Sequence, residues 1–195
     1  MVSAILLAAG EAKRMGRPKL LMPFGDGTVL ERTLDNLLAS EVEEVIVVLG
    51  ARAEKMRKLV AGRGVKTVFN LDYHRGMSTS IIAGLKQVDS RTQWVMVALA
   101  DQPMIGKETY NCLIRESLGS EKGIIVPRYK DRRGNPVIFS IKYKEELLQL
   151  VGDIGGRELL KKYQDDILEV AVDSESVTID INTLDDYYSL FKSPQ

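Results

Sequence analysis

The 195-residue chain sets 27 Lys+Arg against 27 Asp+Glu, a formal net charge of zero. That balance argues against a nucleic-acid or membrane-surface binder, which shows a basic excess or patch. With 45% hydrophobic and 28% charged residues, the composition is that of an ordinary globular protein. A single cysteine, Cys112, excludes an internal disulfide and a cysteine-based zinc site, and a single histidine, His74, excludes a two-histidine metal triad. At roughly 100–200 residues per domain, one domain is expected over residues 1–195. No run approaches the roughly 18 apolar residues of a membrane span. The start, MVSAILLAAG, lacks the basic region of a signal peptide, so a cytoplasmic protein is expected.

The hydrophobic pattern alternates short β-branched runs with amphipathic stretches. Residues 2–8 predict a first strand, followed by a Gly-bearing loop to about residue 23. Residues 29–39 place Leu30, Thr33, Leu34, Leu37 and Leu38 at helical i, i+3, i+4, i+7 spacing. The run 44–49 (EVIVVL) reads as a strand covered on both faces. A helix over 53–61, a strand over 65–70 and a helix over 78–86 follow. Residues 94–99 (WVMVAL) predict a fourth buried strand, 107–118 a helix, and 123–126 and 136–139 short strands around a turn-rich RYKDRRGN. Helical pieces over 144–150 and 156–163, a strand over 168–172 and a helix from residue 184 complete the chain. Such alternation predicts a three-layer α/β/α sandwich on a parallel sheet with right-handed crossovers. Ligands bind such sheets outside the carboxyl ends of the strands.

The loop after the first strand, LLAAGEAKRMGRPKLL, carries the most chemistry. Ala8, Ala9 and Gly10 let a ligand approach the backbone and present N–H groups to an anion. Arg14 and Lys19 add two positive charges, which suits a triphosphate. The spacing excludes a P-loop, because Gly10 and Gly16 are followed by Arg17 and Pro18 rather than Lys and Ser/Thr. It also excludes the tight G-x-G-x-x-G dinucleotide fingerprint. Asp101 directly follows the fourth strand. A lone carboxylate there suits Mg²⁺, a hard cation held by one or two protein oxygens together with substrate phosphates. Ser78, Thr79 and Ser80 follow Gly76 at a helix start, where they serve either as caps or as partners for the edge of a base. His74, between Tyr73 and Arg75, reads as a surface histidine.

The pattern A-A-G-x-x-x-R-M-G-x-x-K after a first strand resembles the signature of the nucleotidyltransferases that include the molybdenum cofactor cytidylyl- and guanylyltransferases. Similar blocks are NLDYHRGMSTSIIAGL (70–85), LADQP (99–103), RRGNPVIF (132–139), GDIGGRELL (152–160) and DINTLDDY (180–187). AAG, GMSTS and RRGNP are more similar to the cytidylyltransferase branch. The resemblance implies a mostly parallel, Rossmann-like nucleotidyltransferase sheet and a catalytic set of Arg14, Lys19 and Asp101. Leu7, Ala8, Ala9, Gly10, Arg14, Lys19, Ser78, Thr79 and Ser80 are the implied nucleotide contacts, with Ser80 nearest the base. Gly134, Asn135, Asp153 and Gly155 are implied to face the acceptor. Asp101 is implied as the Mg²⁺ ligand.

The family often reads D-I-D-T-P where this chain reads D-I-N-T-L. Asn182 therefore stands where a second acidic ligand is expected, with Asp180 as the competing candidate. Thr183 followed three residues later by Asp186 is also a helix-capping pattern. The implied substrates are CTP and molybdopterin, with a molybdoenzyme or its chaperone as protein partner. GTP or ATP as donor, a sugar or alcohol phosphate as acceptor, and a binding-only accessory role are the alternatives.

Overall fold

The computed structural model describes residues 1–12, 15–153 and 155–190. The chain runs through β1 (Val2–Ala8), β2 (Pro23–Phe24), β3 (Gly27–Thr28), α1 (Val29–Leu38), β4 (Glu44–Leu49), α2 (Ala53–Val60), β5 (Lys66–Phe69), α3 (Met77–Leu85) and β6 (Trp94–Leu99). It continues with α4 (Lys107–Gly119), β7 (Ile124–Tyr129), β8 (Arg132–Arg133), β9 (Val137–Ser140), α5 (Lys144–Leu148), α6 (Arg157–Lys162), β10 (Ile167–Ala171) and α7 (Leu184–Ser189). The main sheet has the order β10-β7-β9-β6-β1-β4-β5, with β8 paired to β7. Strands β1, β4, β5, β6, β7 and β10 point one way, whereas β9 is antiparallel to both its neighbours. The sheet is mostly parallel and Rossmann-like, as expected.

Alternation along each strand fills two separate apolar layers. Ala4 and Leu6 of β1 pack with Leu30, Leu34 and Leu37 of α1, with Met56 and Val60 of α2, and with Tyr110 and Leu113 of α4. Ile5 points to the other face, where Ile81 and Leu85 of α3 meet Val97, Phe139, Leu147 and Leu159. The helices therefore cover both faces, which explains why β1, β4 and β6 read as continuous apolar runs. The chain moves outward from β1 to β4 and β5, then returns through α3 to β6 on the other side of β1. The order of the sheet reverses between β1 and β6, the place where such sheets bind ligands.

Three features differ from the sequence reading. Strand β7 continues past residue 126 to Tyr129 and pairs with β8, so part of RYKDRRGN forms a hairpin. Pro127 is tolerated there because β7 meets β9 only through Ile124 and Ile125, so no donor to that strand is lost, while the other edge of β7 still pairs with β10 opposite Val170. A two-residue hairpin, β2 and β3, precedes α1. Its last residue, Thr28, caps α1 in a reciprocal capping box with Glu31. The strand expected over 136–139 forms, but in the reverse direction.

Candidate active site

The loop from β1 and the turn from β6 meet at the switch point. Lys19 begins a 3-10 turn over Lys19–Leu21, anchored by the buried Leu20. Its ammonium donates to Asp101 Oδ2 and, at 2.8 Å, to the carbonyl of Ile181. Lys19 and Asp101 are each 16% exposed, so water screens their attraction less than it screens a surface pair. The Ile181 N–H donates to the Asp101 carbonyl at 3.1 Å, which fixes the C-terminal segment across the end of β6. That segment brings Asp180 and Asn182 to the same cavity wall as Lys19 and Asp101.

Burial, and then the nearby Asp101 charge, push the Asp180 carboxyl above the ordinary range, against hydrogen bonds from Asn182 and Gln102 and the Lys19 charge. The Gln102 amide donates to Asp180 Oδ1 at 2.8 Å. Among the described residues, no group of three or more His, Cys, Asp or Glu gathers to hold a metal. Two carboxylates and the Asn182 amide are nonetheless hard oxygen donors, and Lys19 already shows that Asp101 takes a cation. This donor set fits a Mg²⁺-type ion that keeps waters and shares phosphate oxygens.

The shared cavity has a volume of about 780 Å³, within the usual range for small-molecule sites. Leu7, Ala9 and Gly10 line it, while Ala8 is enclosed within the sheet. Gly50, at the end of β4, makes room for this loop, since a Cβ there would lie 2.7 Å from the Ala9 carbonyl. Ser80 lines the cavity and accepts from the buried Asn70 amide at 3.0 Å. The structure does not bring Ser78 and Thr79 there. The Thr79 hydroxyl lies within hydrogen-bond reach of the Asp72 and Gly76 carbonyls and accepts from Asn70, so it closes its own turn. The Ser78 hydroxyl is buried in the fold with no partner among the described residues.

On the other loops, Gly134, Asn135 and Asp153 line the cavity. Gly155 does not. It sits at φ 58° beneath the Met77 thioether, 2.8 Å from where its Cβ would be. Asp153 Oδ1 accepts from the Met77 N–H at 3.0 Å, and the Gly152 carbonyl accepts from the Ser78 N–H at 3.2 Å. The two loops are thus stitched together. Arg14 lies outside the described residues.

Sequence reasoning missed three cavity-lining cations, Arg75, Arg133 and Arg157, and did not give His74 a place on the cavity wall, where it stands, exposed. Arg133 donates to Glu169 at 2.7 Å. The signal for Arg157 was a cation in the first turn of a helix, a position the helix dipole disfavours.

Comparison with known proteins decides the family. Residues 4–167 match the MobA-like NTP transferase domain. The chain belongs to that family. It is a nucleotidyltransferase of the MobA-like type, and enzymes of this type use divalent metals. The chain is 31% identical to the nicotine blue oxidoreductase of Paenarthrobacter nicotinovorans over 97% of its own length and 96% of that protein. It is 26% identical to the molybdenum cofactor cytidylyltransferase of Escherichia coli K12, over 95% and 93% of the two chains. The crystal structure of Rv0371c from Mycobacterium tuberculosis H37Rv superposes with a TM-score of 0.90 at 34% identity, over 98% and 97%. A manganese complex of Rv0371c superposes with a TM-score of 0.86 at 33% identity, over 99% of each chain.

Proposed function

We propose that the protein moves a CMP moiety from CTP to the terminal phosphate of molybdopterin, releasing pyrophosphate, with Mg²⁺ as the metal. The observation that carries this reading is the Lys19–Asp101 pair at the switch point, beside Asp180 and Asn182, in one cavity. An oxygen of the acceptor phosphate attacks the α-phosphorus in line, and the bond to the bridging oxygen breaks as pyrophosphate leaves with the electron pair. Such chemistry asks the protein chiefly for positioning and charge stabilisation. The acceptor phosphate is already ionised at neutral pH, so no general base is needed.

Lys19 balances charge at the α-phosphate. Arg14 and the Ala9 and Gly10 amides hold the β- and γ-phosphates. Ser80 faces the base, and Asn135 with Asp153 borders the acceptor. Mg²⁺, when bound, supplies Lewis acidity and charge neutralisation at the phosphate oxygens, and Asp101 with Asn182 or Asp180 would hold it. The likeness to the E. coli cytidylyltransferase and the AAG, GMSTS and RRGNP blocks support CTP and a pterin acceptor. The lone Cys112 suits a reducing cytoplasm.

The test is pyrophosphate release from CTP, GTP, ATP and UTP, each with molybdopterin and Mg²⁺. Release that requires the acceptor and is fastest with CTP is expected. Preference for another nucleotide overturns the donor assignment. Silence with all four, together with turnover of nicotine blue in their absence, overturns the transferase reading and favours the chemistry named for the Paenarthrobacter relative.

A further inference from the structure

The turn after β6 holds a side chain to which the proposed chemistry gives no role. Gln102 follows Asp101 directly and is 1% exposed, a degree of burial uncommon for glutamine. Its Nε2 donates to Asp180 Oδ1 at 2.8 Å and lies 3.4 Å from the Val177 carbonyl. Its Oε1 is buried with no partner among the described residues. Leaving a buried acceptor unmatched is costly, and a methionine of similar volume would fill the space without that cost. Fold stability alone therefore does not explain an amide at this position.

The arrangement around residue 180 supplies an explanation. The Asp101 carbonyl and the Lys19 ammonium both hold the main chain of Ile181, which fixes the strip of backbone and leaves the Asp180 side chain to be set by the Gln102 and Asn182 amides. The Asp180 carboxylate lies near a like charge, Asp101, and repulsion would turn it away. The Gln102 amide opposes this rotation, because its donor sits on the residue next to Asp101 and moves with it.

We propose that Gln102 is the positioning residue of the cation site: its amide sets the Asp180 carboxylate beside Asp101, so that the two carboxylates together ligate one hard divalent cation. The inference rests on the metal-dependent reading above and selects Asp180 as the second ligand.

Mn²⁺ titration of the full chain, read as loss of the free-ion electron paramagnetic resonance signal, tests it beside thermal melts. Gln102→Met is expected to weaken Mn²⁺ binding about tenfold with little change in melting temperature. The exchanged pair Gln102→Glu/Asp180→Asn restores an amide–carboxylate hydrogen bond with the roles reversed. It is expected to melt like wild type and still bind Mn²⁺ about tenfold more weakly or worse. If Gln102→Met does not fold, Gln102→Leu takes its place, with the same weakening expected. Wild-type Mn²⁺ affinity in Gln102→Met overturns the role of Gln102, and in the exchanged pair it overturns Asp180 as a ligand, while the metal-dependent reading stands. A wild-type chain that takes up no Mn²⁺ overturns both.

Discussion

Gly134→Ala tests the seating of the C-terminal strip without deleting any charged or polar side chain. An added Cβ would lie 2.3 Å from the Val177 carbonyl oxygen, 2.7 Å from its carbon and 2.9 Å from the Val177 Cβ. Ordinary contact begins near 3.4 Å, so something must move by about 1 Å, and the nearest obstacle is backbone rather than the tip of a flexible side chain. Val177 is fully buried, and its carbonyl accepts from the Asn135 N–H at 2.8 Å. Relief therefore requires a shift of residues 177–182 together, carrying Asp180 and Asn182 with them. Overpacking of this kind costs about 1–3 kcal/mol, and at 2–4 °C per kcal/mol for a chain of this size the melting temperature should fall by about 2–12 °C. A misplacement of about 1 Å costs roughly a hundredfold in rate. Pyrophosphate release should accordingly drop about a hundredfold in kcat/KM in a variant that remains folded by circular dichroism. Turnover within threefold of wild type would refute the claim that this contact sets the position of the strip carrying Asp180 and Asn182.

Asp101→Ala and Lys19→Ala should each lower kcat by roughly a hundredfold or more with native circular dichroism, as expected for removing a contact made to the developing charge. Near-normal turnover in both removes the mechanism. Ser80→Ala should raise KM for the nucleotide with little change in melting temperature, whereas Thr79→Val, which removes the turn-closing hydroxyl, should lower the melting temperature; the reverse pattern would reassign the two. Thr28→Ala removes the α1 cap at about 1 kcal/mol, lowering the melting temperature by about 2–4 °C without altering turnover.

Asp166 gives a pH-dependent signature. Burial alone would raise its pKa, but hydrogen bonds from Lys142, Tyr143 and the Gly123 amide outweigh burial and hold it below the usual value. The folded chain then binds fewer protons than the unfolded one just below pH ~4, so this stabilisation is complete above that pH and is lost as pH falls through the depressed value. Asp166→Asn should melt lower than wild type at pH 7, with the gap closing as pH falls below about 4. A gap independent of pH would mean that the charge is not what matters.

The parts of the fold that were legible in sequence are those whose environment repeats along the chain. Strands β1, β4 and β6 are covered on both faces, so they read as unbroken apolar runs, and α1 shows its buried stripe at helical spacing. The direction of β9 was not legible, because a four-residue apolar run looks the same read either way. The extension of β7 was hidden by Pro127, which keeps its place opposite Val170 of β10 because the β9 ladder has ended and no donor is needed on that side.

In the site, Lys19 and Asp101 stood out because each follows a strand within a loop of small or turn-forming residues. The row Ser78, Thr79 and Ser80 misled for a geometric reason. Successive helical residues point about 100° apart, so three adjacent hydroxyls cannot share one wall, and only Ser80 reaches the cavity. Gln102 beside Asp101 gave no signal, since its partner lies 78 residues away.

The reversed strand β9 has a consequence for how this scaffold diversifies. Its opening residues stand at the same rim as the closing residues of β6 and β7, so the chain furnishes that rim both on its way out of the sheet and on its way in. Residues 130–133 can be lengthened or recast without disturbing a single crossover helix, whereas Gly134 and Asn135 stay tied to Val177. On the proposed assignment, a new acceptor can thus be recruited by rewriting one short inbound loop while the triphosphate half keeps its wording.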